Sequence, residues 1–419
     1  MRRVLVAIVL LATTACSKAA PRHQYLFVWA GDSAMKASDF LAVIEADPAS
    51  PKYGSVVASV PTGVAGTHPH HTEAEMPADG HLLANSFHTG TTSLFDLTDP
   101  LRPKLLTSFG ELAGFSHPHT YLRLADGSVL ATFQYKDDSA ARITPHMHEE
   151  MAMPMPKGVE RITGGLVHMD ERGTVIRAAS AADKSIADTH IYPYSVLAMP
   201  SVDRAVSTTT DMDDSDAKAT AQWVQFWKLS DLTLLKSIAL KPGPRGHENE
   251  YTGEPRLLPD GKSVYIHTFG CGLYLVRDVA AAEPTATLVK SFPGEGCGVP
   301  ILAGHFWLQP VPETHSLSSL DIADPEHPRE VSTVAFGDDE FPHWIAIDSA
   351  GRRVVLNSGG YGKSNRLFVI NFDSATGALA IDEKFRDAGS AKAGVNLSQR
   401  TWPHGFTGTA APHGTVFSR

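Results

Sequence analysis

The chain has 419 residues, of which 20% are charged and 42% hydrophobic, and this composition excludes a disordered chain, a collagen and a coiled coil. The formal net charge is −10 and no run of Lys or Arg interrupts it, so we expect no nucleic-acid partner. Twenty His residues against three Cys residues are the first indication of function.

Residues 1–20 have the features of a secretory signal peptide. Two Arg residues precede the apolar run 4–12, which is too short for a membrane-spanning helix of about 20 residues. Ala15-Cys16 is similar to a bacterial lipoprotein cleavage site, although Thr13 stands where such sites usually have Leu. We expect an exported protein, either periplasmic or held at a membrane only by a lipid on Cys16. Plain cleavage near Ala20 is the alternative.

Export would allow the two remaining cysteines to form a disulfide. Cys271 and Cys297 lie 26 residues apart, and each has a Gly on both sides. We expect a structural disulfide between them, and two free buried thiols are the alternative.

The phrase Asp-Pro-x-x-Pro occurs at residues 47–51, 99–103 and 324–328, each time between two β-rich runs. Asp and Pro favour turns, so each copy predicts a β-hairpin. Four looser copies bring the turn centres to seven, near residues 48, 100, 171, 231, 280, 325 and 375. Most of the gaps between them are close to the roughly 40–50 residues of a propeller blade.

The repeats predict an all-β fold, a single seven-bladed β-propeller over residues 24–419 with an insertion loop at about 136–160. Seven segments could begin the inner strands, at residues 67–71, 116–120, 191–194, 247–251, 296–300, 341–344 and 402–405. The last segment has no hairpin after it, and the first hairpin has no such segment before it. We therefore expect the C-terminal segment to supply the inner strand of the N-terminal blade, which closes the ring.

Five of these seven segments contain His, and the inner strands of a propeller surround one channel. Several imidazoles that converge without sulfur favour Cu(II) or Zn(II). We expect a metal site with copper, or alternatively zinc; His residues that cap strand ends and bind water are the interpretation without a metal. The candidate ligands are His70, His71, His119 and His404, with His117 and His343 as alternates.

The closed ring makes a geometric prediction about these residues. The segment with His404 should lie beside His70 and His71, whose other neighbour is the segment with His119. The side-chain nitrogens of His71, His119 and His404 should then approach within roughly 4–5 Å, because metal–nitrogen bonds are about 2.0–2.1 Å long. Glu73 and Glu248, near the same rim, could accept a proton.

A second cluster lies in the predicted insertion, at residues 146–155, where four of the ten Met residues accompany two His residues. Thioethers select Cu(I), so this segment could handle copper. A loop that uses Met as adaptable apolar surface is the alternative.

These features resemble the selenium-binding protein and methanethiol oxidase family. The similar residues are the stretch from Phe40 to Tyr53, the His70-His71 pair, the segment 115–119 and the late His404. The resemblance implies a propeller with a His-bound copper that oxidises methanethiol to formaldehyde, sulfide and peroxide. The family has a Cys soon after the His pair, whereas residues 72–77 contain none, so selenium binding by that route is not expected.

Two functions are consistent with these observations. The first is an exported copper-dependent oxidase, in which a small thiol substrate binds as thiolate and Glu73 or Glu248 accepts its proton. The second is non-catalytic, a periplasmic copper carrier or an interaction scaffold, because propellers serve many unrelated functions.

Overall fold

A computed structural model describes residues 23–136, 162–186, 191–210, 212 and 221–419. The predicted signal peptide with Cys16 lies outside the described residues, as do nearly all of the predicted insertion loop and its His- and Met-rich residues 146–155.

The described chain is almost entirely β-strand, and its strands form seven antiparallel blades. Blade one contains β1 (Tyr25–Asp32), β2 (Ser38–Glu45) and β3 (Val56–Ala65). Blade two contains β4 (Pro69–Thr72), β5 (His81–Ser86), β6 (Thr91–Asp96) and β7 (Lys104–Phe109). Blade three contains β8 (Phe115–Arg123), β9 (Val129–Lys136), β10 (Ile162–Met169) and β11 (Val175–Ser180).

The remaining blades repeat the same order along the chain. Blade four contains β12 (Pro193–Met199), β13 (Arg204–Thr209), β14 (Trp223–Lys228) and β15 (Thr233–Ala239). Blade five contains β16 (Thr252–Leu257), β17 (Val264–Thr268), β18 (Gly272–Arg277) and β19 (Thr285–Ser291). Blade six contains β20 (Ile301–Ala303), β21 (Phe306–Val311), β22 (Ser316–Asp321) and β23 (Arg329–Ala335). Blade seven contains β24 (Trp344–Ile347), β25 (Arg353–Asn357), β26 (Arg366–Phe372) and β27 (Leu379–Ile381), and β28 (Val395–Asn396) also pairs with β26.

Blade one closes the ring with strands from both ends of the chain. Its inner strand is β31 (Ala410–Phe417), which pairs antiparallel with β1 so that Leu26 lies opposite Phe417. β31 also contacts β4 of blade two and β24 of blade seven. The predicted seven-bladed propeller and its closure are therefore confirmed.

The predicted start of the closing strand was wrong. Residues 402–405 lie in a small hairpin between β29 (Arg400–Thr401) and β30 (Thr407–Gly408), outside the seven blades. The inner strand begins later, at Ala410.

The core lies between neighbouring blades, because successive residues of a strand face opposite sides. On β1, Val28 packs in one cluster with Val369 of blade seven, whereas Trp29 packs in another with Phe95 of blade two. All four side chains are buried. Blade one is thus held by apolar contacts on both faces.

Cys271 and Cys297 form a disulfide, the pairing that their spacing suggested. The bond joins the turn between β17 and β18 of blade five to the segment before β20 of blade six. In the described part of the chain the helical segments include short 3-10 turns at Pro200–Val202 and Pro312–Thr314, and no helix is long and apolar enough to cross a membrane.

Candidate metal centre

Five inner-strand segments share a pattern in which a Pro precedes an aromatic ring. The residues after the Pro are His343 of blade seven, His413 of blade one, His70 of blade two, His119 of blade three and Tyr194 of blade four. Successive ring centroids are 5.1, 4.1, 4.9 and 4.0 Å apart. Because Pro restricts φ at the same place in each blade, the five buried rings form a continuous arc along the inner-strand segments of five consecutive blades.

His70, His71 and His119 form a group in the middle of this arc that could hold a metal ion. All three are buried, and one ring nitrogen from each lies within 4.8 Å of the others. His70 Nε2 and His119 Nε2 are 3.0 Å apart. Two nitrogens bound at right angles to one ion would be about 2.9 Å apart, so this separation fits a shared ion.

His71 joins His70 at the channel because the strand is irregular there. Adjacent residues of a regular strand face opposite sides, but the pairing of β4 with β5 shifts register between Pro69 and Thr72. The His71 backbone N–H donates to Asn85 Oδ1 at 2.6 Å. The two imidazoles stack with their centroids 4.2 Å apart.

The protein backbone sets the tautomer of His119. Its Nδ1 lies 2.8 Å from the Tyr194 carbonyl oxygen, which can only accept a hydrogen bond. The proton therefore sits on Nδ1, and the lone pair of Nε2 faces His70. Burial lowers the pKa of His119 to about 3, and burial together with the neighbouring imidazoles holds the pKa values of His70 and His71 well below the usual range. Neutral imidazole is the form that binds metal.

His70 also belongs to a second group, on its other side. One nitrogen each from His68, His70 and His413 lie within 4.8 Å of one another, and the Nδ1 atoms of His70 and His413 are 3.3 Å apart. His413 Nε2 is buried without a hydrogen-bond partner among the described residues. The two nitrogens of one ring point apart, so His70 can offer one ion either Nε2 or Nδ1, not both.

His404 does not lie in this cluster, so its predicted position was wrong. Its Nδ1 is hydrogen-bonded to Ser59 Oγ at 2.7 Å, and its ring packs on Phe40. The late His of the arc is His413, which the sequence analysis missed. Both follow a Pro, but only Pro412-His413 lies in a long strand.

The two alternates lie in different surroundings. His343 sits at the end of the arc beside His413. Among the described residues, His117 belongs to neither of these two His groups that could hold a metal ion; its ring contacts Phe87 and Tyr135, and its φ of 58° is left-handed. The structure thus brings three of the six predicted ligands together, places His343 beside them and separates His117 and His404.

Both predicted proton acceptors are engaged elsewhere, which argues against that role. The buried Glu73 carboxylate binds Arg123 at 2.9 Å and the Leu83 N–H at 2.9 Å, and burial raises its pKa. Glu248 accepts hydrogen bonds from the Arg245 N–H at 2.9 Å and from Ser291 Oγ at 3.1 Å. Although burial opposes the shift, these bonds lower the pKa of Glu248 to about 2, which makes it a weak base.

Aromatic side chains line the space beside the three imidazoles. The Trp344 ring lies 4.8 Å from that of His71, and its Nε1–H donates to the Thr415 carbonyl oxygen. The Tyr194 hydroxyl is 3.4 Å from His71 Nε2. Trp344 and Tyr194 therefore form a buried aromatic wall against His71.

Fold and site together define a seven-bladed propeller with a buried imidazole cluster on its inner strands. No known protein-family profile matches the sequence. A stretch of 112 residues is 36% identical to methanethiol oxidase from Hyphomicrobium sp; it covers 25% of this chain and 24% of that protein, so the chain matches about a quarter of the length of this curated relative.

Solved structures share the fold of this chain. A hypothetical selenium-binding protein from Sulfolobus tokodaii superposes with a TM-score of 0.71 at 16% identity, over 95% of this chain and 94% of that one. A periplasmic gluconolactonase from Pseudomonas aeruginosa superposes with a TM-score of 0.60 at 13% identity, over 94% and 99%. The 112-residue match confirms the sequence resemblance to the selenium-binding protein and methanethiol oxidase family, and the solved structures show that the fold is shared.

Proposed function

We propose that the protein is an exported, copper-dependent oxidase that resembles methanethiol oxidase and oxidises a small thiol with O₂. The observation that carries this proposal is the convergence of His70, His71 and His119 within 4.8 Å. An all-imidazole donor set suits copper and zinc, and the similarity to methanethiol oxidase favours copper.

The residues of the site have separate roles in this proposal, as metal ligands, as a partner that fixes a tautomer and as apolar surface. His70, His71 and His119 would hold the copper, which when bound would supply the electron transfer between a thiol and O₂. The Tyr194 carbonyl keeps the proton on His119 Nδ1 and so keeps Nε2 available as a ligand. Tyr194 and Trp344 pack against His71, where they would contact the short alkyl group of a bound thiol.

The reaction of the resembled family balances without another reductant. Methanethiol, O₂ and water yield formaldehyde, hydrogen sulfide and hydrogen peroxide in equal amounts. Export is part of the proposal: the leader at residues 1–20 supports it, and the Cys271–Cys297 disulfide suits an oxidising compartment.

Elemental analysis of protein produced with its own leader tests the proposal, together with assays for sulfide and peroxide release from methanethiol. We expect copper bound in a fixed ratio to the chain, and equal release of both products. A copper-loaded protein that is inert to thiols but passes Cu(I) rapidly to a competing chelator would indicate a copper carrier instead. Protein that retains no metal would overturn the proposal.

A further inference from the structure

His267 lies on the second strand of blade five, yet its imidazole occupies a gap in the first strand. A Cβ atom at Gly253 would collide with His267 Cε1, so the ring fits only beside a glycine. The pairing of β16 with β17 shifts register at the same place, between Thr252 and Pro255. This local arrangement places a side chain of the second strand directly against the backbone of the first strand.

The backbone also sets the tautomer of His267. Its Nδ1 accepts a hydrogen bond from the Glu254 N–H at 2.8 Å. A backbone N–H can only donate, so Nδ1 holds the lone pair and the proton of the neutral ring is on Nε2. Burial first, and then the nearby Arg256, lower the pKa of His267 to about 3, which keeps the ring neutral.

His267 Nε2–H is therefore a buried donor that lacks an acceptor. The residue is 1% exposed, and Nε2 has no hydrogen-bond partner among the described residues. A buried donor without an acceptor is costly, and most such groups in folded proteins have one.

The rings around this donor connect it to the candidate metal centre. Phe269 lies 5.2 Å from His267, and it also contacts Tyr194 of blade four and His343 of blade seven. Tyr194 in turn contacts His71 and His119. Ring contacts through Phe269 and Tyr194 thus link the buried His267 donor to the imidazole cluster.

We propose that His267 is a substrate-binding residue, whose Nε2–H donates a hydrogen bond to the sulfur of a small thiol. A neutral donor among aromatic rings suits a soft, weakly hydrated acceptor with a short alkyl chain, which Phe269 would contact. This inference rests on the proposed function, because the imidazole cluster fixes where in the channel a thiol would react.

The experiment measures ethanethiol binding to the zinc-loaded protein by calorimetry, because zinc has no redox chemistry and allows binding without turnover. His267→Asn keeps an acceptor for the Glu254 N–H but is too short to place a donor at the Nε2 position. His267→Gln can place an amide N–H there. We expect the dissociation constant to rise about tenfold in His267→Asn and to return within about threefold of the wild-type value in His267→Gln. Zinc content should be the same in all three proteins.

Gly253→Ala provides a second variant, which displaces the imidazole without changing it and should weaken ethanethiol binding as well. Equal affinity of His267→Asn and wild type, equal loss in the Asn and Gln variants, or no binding by wild type would each overturn the donor role. The oxidase proposal can fail separately. If copper-loaded wild type does not oxidise thiols, but His267→Asn weakens ethanethiol binding to the zinc-loaded protein, then the oxidase function is rejected and the donor role of His267 stands.

Discussion

His119 and His267 are two buried imidazoles that the backbone holds in opposite tautomers. His119 Nδ1 meets a backbone carbonyl, so its Nε2 presents a lone pair to His70. His267 Nδ1 meets a backbone N–H, so its Nε2 carries the proton, in a ring that lies 5.2 Å from that of Phe269. The backbone group at Nδ1 thus decides whether a buried imidazole is suited to bind a metal or to donate a hydrogen bond.

Removal of an imidazole from the group of His70, His71 and His119 should have the largest effect on metal binding. His119→Ala deletes one of three converging nitrogens, and we expect metal affinity to fall roughly 1,000-fold or more, beyond the 10–100-fold typical of outer partners. Competition with a chelator of known affinity measures the change.

The matched controls are two imidazoles outside the arc. His404→Ala and His327→Ala should retain the metal, because His404 packs on Phe40 and His327 is bound to Asp324 in an exposed turn. His413→Ala should cost less than His119→Ala if the ion lies beside His70 Nε2. A greater loss in His413→Ala would place the ion on the Nδ1 side of His70.

The fold could be predicted because each blade is a contiguous repeat with its own turn signals. The choice between His404 and His413 could not be made locally, since both follow a Pro near the C-terminus. It depends on residues 400–408 forming a hairpin outside the blades, and that hairpin is stabilised by packing against Phe40, far away in the chain.

The sequence carries no local signal for His267 or for the two carboxylates. The position of His267 depends on the missing side chain of Gly253 and on the N–H of Glu254, both on another strand. The pKa values of Glu73 and Glu248 likewise depend on which groups surround them in the folded protein. Such roles become visible only when the backbone partners of each side chain are known.

The disulfide should stabilise the fold around Phe269 without affecting metal affinity. It closes a loop of 26 residues beside the turn that carries Phe269, and the Gly296 N–H donates to the Phe269 carbonyl oxygen. We expect the double variant with Cys271→Ser and Cys297→Ser to lose about 3 kcal/mol of unfolding free energy, measured by urea denaturation. Metal affinity should not change. A large loss of metal would show that the segment around Phe269 and the imidazole cluster are coupled.

The buried, neutral state of His267 also predicts how the unfolding free energy depends on pH. Arg256 and His343 are the charged and titratable groups that act on its pKa. Its pKa is about 3 in the folded protein and about 6.5 when unfolded, so the unfolded chain binds the proton first as the pH falls. Above pH 6.5 the His267 ring is neutral in both states and does not change the unfolding free energy. Below that pH the unfolded chain takes up a proton that the folded protein excludes, so the unfolding free energy falls progressively towards pH 3. Between pH 7.5 and 5, the metal-free wild type should lose about 2 kcal/mol more unfolding free energy than His267→Asn. Parallel pH profiles of the two proteins would contradict this assignment.

The smallest effect concerns the size of the thiol. The Phe269 ring contacts both Tyr194 and His343, so it should limit the alkyl chain that fits beside the His267 donor. Phe269→Ala removes that ring and should improve butanethiol binding relative to ethanethiol by roughly fivefold, because a methylene in an apolar pocket contributes about 1 kcal/mol. The measurement is the ratio of the two dissociation constants in zinc-loaded protein, with Phe341→Ala as the control, since Phe341 contacts Tyr361 rather than Tyr194. The same ratio in wild type and Phe269→Ala would mean that the alkyl chain lies elsewhere, beside His71 and Trp344.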